Sequence, residues 1–229
     1  MPVLGTLTPD EFWDALRVHL PSFSPEEQRV AVALYRELAK GQPVNDAQLA
    51  GALRISSAKV RALLQRDSIN CLIHRDGEGR VVGFGGLAAV PMHHRFEVDG
   101  LELSTWCASD SLFIPEILGR TARVASADPE SGEHVRLVVT PELIEWVDPK
   151  EAVISFIRPD AQVFGTSAGN VMARFCHFIF FFASRSSGDR WIDKNPGSFL
   201  YSLDEAFALA KRFNLNNFGA ELAGFGSRR

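Results

Sequence analysis

The chain changes texture near Gly85, and that change limits the folds open to it. Upstream, apolar residues recur at helical spacing behind clear helix starts. Thr8-Pro9-Asp10-Glu11 offers an N-cap with proline at the first helical position. Ser24 and Glu27 have capping-box spacing, and Val30, Leu34 and Leu38 then share one face of a helix that stops at Gly41. Residues 45–53, with Asn45 as N-cap, and residues 56–65, with Val60, Leu63 and Leu64 inward, read as two shorter helices. Residues 69–73 and 81–87 read as a hairpin around Asp76-Gly77-Glu78-Gly79. Helices followed by a two-stranded wing predict a winged-helix-like unit.

Downstream, alternation takes over. Phe96-Glu97-Val98 and Leu101-Glu102-Leu103 flank Asp99-Gly100, a hairpin signal. Residues 110–118 predict a short helix, bent or broken near Pro115. Residues 120–126 and 134–139 read as strands joined by a turn at Asp128-Pro129-Glu130-Ser131-Gly132, and residues 152–157 as another strand. A small-residue loop at 160–169 leads to an aromatic strand at 175–184, where period two puts Cys176, Phe178, Phe180 and Phe182 on one face. Ser202 and Glu205 open a helix to Phe213, and the tail from Asn214 reads as irregular. Helical runs followed by strand runs make the class α+β. The expected architecture is an N-terminal winged-helix-like helical domain, residues 1–84, followed by a mixed or antiparallel β-sheet core with flanking helices, residues 85–229.

Hydrophobic residues at 46% and charged residues at 23% fit a soluble globular protein. A net charge of −4 argues against a dedicated nucleic-acid binder, which carries a basic surplus. No apolar run is long enough to span a bilayer, and residues 1–10 lack the basic start and apolar stretch of a secretory signal. The expected location is the cytoplasm. Cys71, Cys107 and Cys176 are too widely spaced for a disulfide framework or a zinc-finger motif. In a reducing compartment they are free thiols, whose ordinary role is as small buried hydrophobes.

Two segments hold reactive groups. Trp106-Cys107-Ala108-Ser109-Asp110 puts a thiol and a carboxyl three residues apart where a helix begins. A helical turn would place both on one side, and a helix N-terminus favours thiolate and carboxylate alike. The ordinary role of Asp110 is that of an N-cap. Phe175-Cys176-His177 is the second segment, with core packing as its ordinary role. His177 is a candidate metal ligand whose ordinary role is that of a satisfied histidine at a sheet margin, and a zinc site built from His93-His94 with Cys107 and Cys176 has no motif spacing behind it.

Taken together and in order, these segments resemble the alkylmercury lyase family. The match comprises Trp106-Cys107-Ala108-Ser109-Asp110, Gly119-Arg120-Thr121-Ala122-Arg123-Val124, Phe175-Cys176 and Phe181-Phe182-Ala183-Ser184. Arg36-Glu37-Leu38-Ala39-Lys40-Gly41 and Glu205-Ala206-Phe207 extend it over residues 36–214. The resemblance implies an organomercurial lyase that cleaves carbon–mercury bonds by protonolysis. It implies that Cys107 and Cys176 bind mercury with Asp110 beside them, and that Asp110 passes a proton from a cysteine thiol to the departing carbon. Mercury is soft and thiolate is the soft ligand a protein offers, while the carbon needs a general acid. The products are a hydrocarbon and a mercuric ion held by two sulfurs. No organic cofactor or resident metal is required. External low-molecular-weight thiols remove the ion, with mercuric reductase as a recipient, and no nucleic acid or membrane takes part. Trp106, Phe178, Phe180 and Phe182 are the expected pocket for the organic group.

The chain departs from the family at His177, where a second cysteine often follows Cys176, and near Asp128, where another cysteine is common. The stretch before Ser22 is longer than usual. Two rival readings remain. One is a metal-responsive DNA-binding regulator with Lys59, Arg61 and Arg66 on its recognition helix. The other is a soft-metal-binding protein without catalysis, which has no need of Asp110.

Overall fold

The computed structural model describes residues 6–160, 163–164 and 166–226. Capping chemistry sets the helix starts of its N-terminal part. Helix α1 (Pro9–Arg17) begins at Thr8, whose hydroxyl accepts from the Glu11 N–H while the Glu11 carboxylate accepts from the Thr8 N–H. Ser24 with Glu27 caps α2 (Pro25–Leu38), and Asn45 with Gln48 caps α3 (Asp46–Leu53). Ser56 caps α4 (Ser57–Leu64). Each cap stabilises by about 1 kcal/mol, enough to decide where a short helix starts. Val30, Leu34 and Leu38 are all buried, as the helical spacing requires.

The expected strand at 69–73 is corrected. Asp67-Ser68-Ile69-Asn70 winds into a short helix, α5 (Asp67–Asn70), and only Ile73 enters a strand. Ile69 is buried either way, and a short apolar run does not by itself separate helix from strand.

Strand β1 (Ile73–Arg75) pairs with β2 (Val81–Phe84). With β3 (Leu87–Ala88), β4 (His94–Val98), β5 (Leu101–Thr105), β6 (Ala122–Ala127), β7 (His134–Val139) and β8 (Ile144–Asp148) they form one antiparallel sheet, in the order β1-β2-β3-β5-β4-β6-β7-β8. Asp99 and Gly100, at φ 52° and 77°, close the β4–β5 hairpin by a two-residue turn. Strand β8 has no clean alternation, which hid it in the sequence. The helix at 110–118 forms without a break as α6 (Asp110–Leu118), with Pro115 inside it.

A second antiparallel sheet places β9 (Val153–Ile157) between β10 (Phe181–Phe182) and β11 (Ser198–Ser202). The loop at 160–169 includes positions 161, 162 and 165, which lie outside the described residues, and it already turns helical at Ala168. Helix α7 (Ala168–Arg174) and a 3-10 turn at Cys176–Phe178 replace most of the expected aromatic strand, of which only Phe181 and Phe182 pair with β9. Ser155 of β9 stops the ladder: its hydroxyl donates to the Phe178 carbonyl (2.7 Å) and accepts from the Phe180 N–H (3.0 Å). The period-two face is therefore absent. Helix α8 (Arg185–Lys194) precedes β11 and was not anticipated.

The tail is also corrected. Helix α9 (Leu203–Gly226) starts at the expected Ser202–Glu205 box but continues past Asn214. Asn214 is buried and donates from Nδ2 to the Phe113 carbonyl (2.8 Å) and Glu116 Oε2 (2.7 Å). Packing overrides the poor helix propensity of asparagine. Helix α9 lies against α1, α2 and α6, and one hydrophobic core runs from Phe12 through the large sheet to Phe218. Among the described residues, no helix is long and apolar enough to cross a membrane.

Candidate active site

Strand β5 ends at Thr105, and the chain then turns sharply into α6. The Trp106 N–H donates to the Gly86 carbonyl (2.8 Å), and the Thr105 hydroxyl donates to the Cys107 carbonyl (2.9 Å). The Ala108 N–H donates to the carbonyl of Ile179 (3.2 Å), which ties this turn to the segment bearing Cys176. Two segments far apart in sequence thus meet through the backbone. Cys107 Sγ, a carboxylate oxygen of Asp110 and Cys176 Sγ all lie within 4.8 Å of one another, and all three residues are buried.

Asp110 is not the N-cap that its position suggested. Ser109 holds that place without a side-chain cap bond, and Asp110 Oδ2 accepts from the Cys107 N–H at 2.8 Å. The carboxylate therefore orients the cysteine turn. The Ser109 hydroxyl lies 3.1 Å from Cys107 Sγ.

Burial favours the neutral form of each group. For Cys107, burial raises the pKa, but hydrogen bonds from the Cys176 thiol, the Ser109 hydroxyl and the Asp110 side lower it further, to about 7. Asp110 is held well above the usual carboxylate range, by burial first and then by the neighbouring Cys107 charge. Cys176 is pushed well above the usual thiol range because it donates to Cys107, and then by burial. The site thus favours one thiolate beside a thiol and a carboxylic acid. A helix N-terminus was expected to lower Asp110. That effect is about 0.3–1 kcal/mol, whereas full burial moves a pKa by up to roughly 3–5 units, so desolvation prevails.

Gly86 was missed in the sequence, although Gly85-Gly86 is a turn signal. Gly86 has φ +102°, and a Cβ there would lie 2.5 Å from Asp110 Cγ. Only glycine lets the backbone pass this close to the carboxyl group. Buried Tyr35 of α2 fixes the same turn, with its hydroxyl donating to the Gly85 carbonyl at 2.6 Å. Burial and the Asp110 charge raise the Tyr35 pKa and keep it a neutral donor.

An apolar cavity of about 100 Å³ opens beside Asp110 and Cys176. Trp106 lines it as expected, but Phe178, Phe180 and Phe182 do not. Phe180 and Phe182 pack on Trp191 in a separate cluster. The aromatic wall comes instead from Phe12 and Trp13 of α1, Phe113 of α6, Phe156 of β9, Phe175 just after α7, and Phe213 of α9. No local pattern joins residues so far apart in sequence.

The remaining candidates lie elsewhere. His94 is buried with Nδ1 2.8 Å from the Ser126 hydroxyl, and burial depresses its pKa to about 3, so it is neutral. His177 is exposed, and Cys71 is buried with its thiol donating to the Ser68 carbonyl at 3.6 Å. Among the described residues, Cys107, Asp110 and Cys176 are the only cluster of metal-ligating type. Asp128 is buried and structural: its carboxylate accepts from the N–H groups of Glu130, Ser131 and Ala183, joining the β6–β7 turn to β10. On α4, Lys59 pairs with Glu26 (2.6 Å) and Arg61 with Asp46 (3.1 Å), while Arg66, just beyond it, reaches Glu26 (3.4 Å).

Comparisons with known proteins agree on one family. The family model described as MerB, alkylmercury lyase, matches residues 87–214. The alkylmercury lyase of Staphylococcus epidermidis is 36% identical over 178 residues, covering 78% of this chain and 78% of that protein. The alkylmercury lyase of Pseudomonas putida is 36% identical over 186 residues, covering 81% and 83%. A solved structure described as the mercury-bound form of MerB2 superposes with a TM-score of 0.70 at 20% identity, covering 90% of this chain and 96% of that one. At that identity the likeness shows the fold.

Proposed function

The chain belongs to the alkylmercury lyase family, and from that premise we propose that Cys107, Asp110 and Cys176 carry its carbon–mercury bond cleavage. The observation that supports the assignment is their meeting: two sulfurs and a carboxyl oxygen within 4.8 Å, buried beside an apolar cavity. Cys107, with its pKa near 7, is the thiolate that first binds the organomercury cation. Cys176 closes on mercury as the second sulfur as its thiol proton leaves toward Asp110, and the added thiolate density weakens the carbon–mercury bond. Asp110 delivers the proton to carbon and is resupplied from the Cys176 thiol. The bonding electron pair goes to carbon with that proton. The cation, one thiolate and one thiol become a hydrocarbon and a neutral bis-thiolate mercuric complex.

In this reading mercury is substrate and product, and no organic cofactor takes part. External thiols remove the ion, and a mercuric reductase in the cytoplasm is a fitting recipient. The assay that tests the proposal incubates the protein with methylmercury or phenylmercury and excess thiol and follows methane or benzene. Absence of both products would refute it.

Residues 1–84 are proposed as a winged-helix-like scaffold rather than a DNA reader, and residues 85–229 as the catalytic core. The supporting observations are that β1, β2 and β3 continue into the sheet containing β5, that Tyr35 and Phe84 line the cavity, and that Lys59, Arg61 and Arg66 face acidic partners.

A further inference from the structure

We infer that Trp13 of α1 sets the size of organic group that the site accepts. The inference rests on the lyase reading above. The apolar cavity lies directly against Asp110 and Cys176, and α1 forms one of its walls through Phe12, Trp13 and Leu16. Helix α1 lies outside the span matched by the family model, residues 87–214, so this wall is not part of what that match describes.

The three wall residues are held differently. Phe12 is fully buried against the rings of Phe156, Phe199 and Tyr201 at 5.1–6.1 Å, and serves as the anchor of the helix. Trp13 instead sits between the cavity and the Arg212 guanidinium of α9, whose carbon lies 5.5 Å from the indole. Arg212 also pairs with Asp10 at 2.5 Å, so the same arginine holds two successive turns of the α1–α9 contact. The indole is thereby a fixed wall. Rigid apolar walls discriminate by volume, because an oversized group must displace packed side chains.

The volume gives the direction. An apolar cavity near 150 Å³ accepts a benzene ring, whereas this one is about 100 Å³. Compact alkyl groups fit without displacement, and an aryl group presses on the wall. Trimming Trp13 relieves that pressure.

The test compares kcat/KM for phenylmercury and methylmercury in the wild type, Trp13→Phe and Trp13→Leu, with benzene and methane as readouts and circular dichroism confirming the fold. Taking the ratio within each protein and then between proteins cancels the intrinsic reactivity of the two bonds. The phenyl-to-methyl ratio should rise about tenfold in Trp13→Leu, and by less in Trp13→Phe, since pocket fit is worth roughly 10–200-fold per group. Trp13→Phe keeps an aromatic face for Arg212 and so provides a folded variant. An unchanged or lowered ratio in either folded variant overturns the assignment of Trp13 while leaving the lyase reading intact. Failure of the wild type to release either hydrocarbon overturns both.

Discussion

At the residue scale the proposed chemistry turns on three groups whose pKa values are driven apart. Cys107 near 7 is the thiolate, while burial and mutual charge hold Asp110 and Cys176 in their protonated forms. Substrate capture needs deprotonated Cys107, so kcat/KM should fall as pH drops below about 7, by roughly tenfold per unit once the thiol predominates. A profile of hydrocarbon release that stays flat across about pH 5–8 would contradict this assignment. Asp110→Asn should retain mercuric-ion binding by the two sulfurs yet lose about 10²–10⁴ in hydrocarbon release, the usual effect of removing a general acid. If the variant folds and turns over normally, Asp110 has only its structural bond to the Cys107 N–H. Gly86→Ala drives a methyl group into the Asp110 carboxyl, at φ +102°. Because the obstacle is the site itself, activity should fall by a larger factor than stability, which a paired assay and thermal melt will show.

At the element scale, the turn between β5 and α6 and the 3-10 turn after α7 each deliver one sulfur, and the Ala108–Ile179 backbone bond holds them together. Helix α9 supports both from behind. Buried Asn214 spans α9 and α6 through the Phe113 carbonyl and Glu116. Asn214→Leu should destabilise by about 1–3 kcal/mol, since it leaves a buried carbonyl without this donor. Denaturant melts measure that directly, and an unchanged midpoint would show the bond to be dispensable. Helix α4 and the turn after it carry the cations of a would-be DNA reader, Lys59, Arg61 and Arg66, but they pair with Glu26, Glu27 and Asp46. Exposed pairs of this kind add about 0–1 kcal/mol each to stability, yet they reduce the positive field available to phosphates.

At the scale of the whole molecule, the two sulfurs come from segments separated by α6, strands β6 to β9 and α7, so a mercuric ion held by both, as proposed, would clamp distant parts of the fold. An ion that binds only the folded state stabilises it by RT ln(1 + [L]/Kd), about 4 kcal/mol at a thousandfold excess over Kd. Stoichiometric mercuric ion should therefore raise Tm in the wild type, and the increase should largely vanish in Cys176→Ser, as differential scanning calorimetry would reveal. The same increase in that variant would mean that the ion is held without Cys176. The balance of charge, −4 over the chain, and the acidic partners on α4 predict no salt-sensitive DNA binding at micromolar protein, which a titration with duplex DNA at two ionic strengths will decide.

Much of the local capping and turn chemistry was legible in the sequence, although α5, β8 and α8 were not. Helix starts at Thr8, Ser24, Asn45, Ser56 and Ser202 follow from side chains that satisfy nearby N–H groups, and the Asp99-Gly100 turn follows from positive φ. Cys107, Asp110 and Cys176 were legible as candidates because a thiol and a carboxyl three residues apart, with a second thiol in a familiar order of motifs, form a recognisable set. What the sequence misread depended on partners far along the chain. Residues 175–184 look like a strand, but Ser155 intercepts their backbone, and Asn214 belongs to a helix because Phe113 and Glu116 await it. The protonation pattern of the site is tertiary for the same reason. A helix N-terminus alone lowers the pKa of Asp110, and burial, with Gly86 packed against the carboxyl group, together with the neighbouring Cys107 charge reverses that preference.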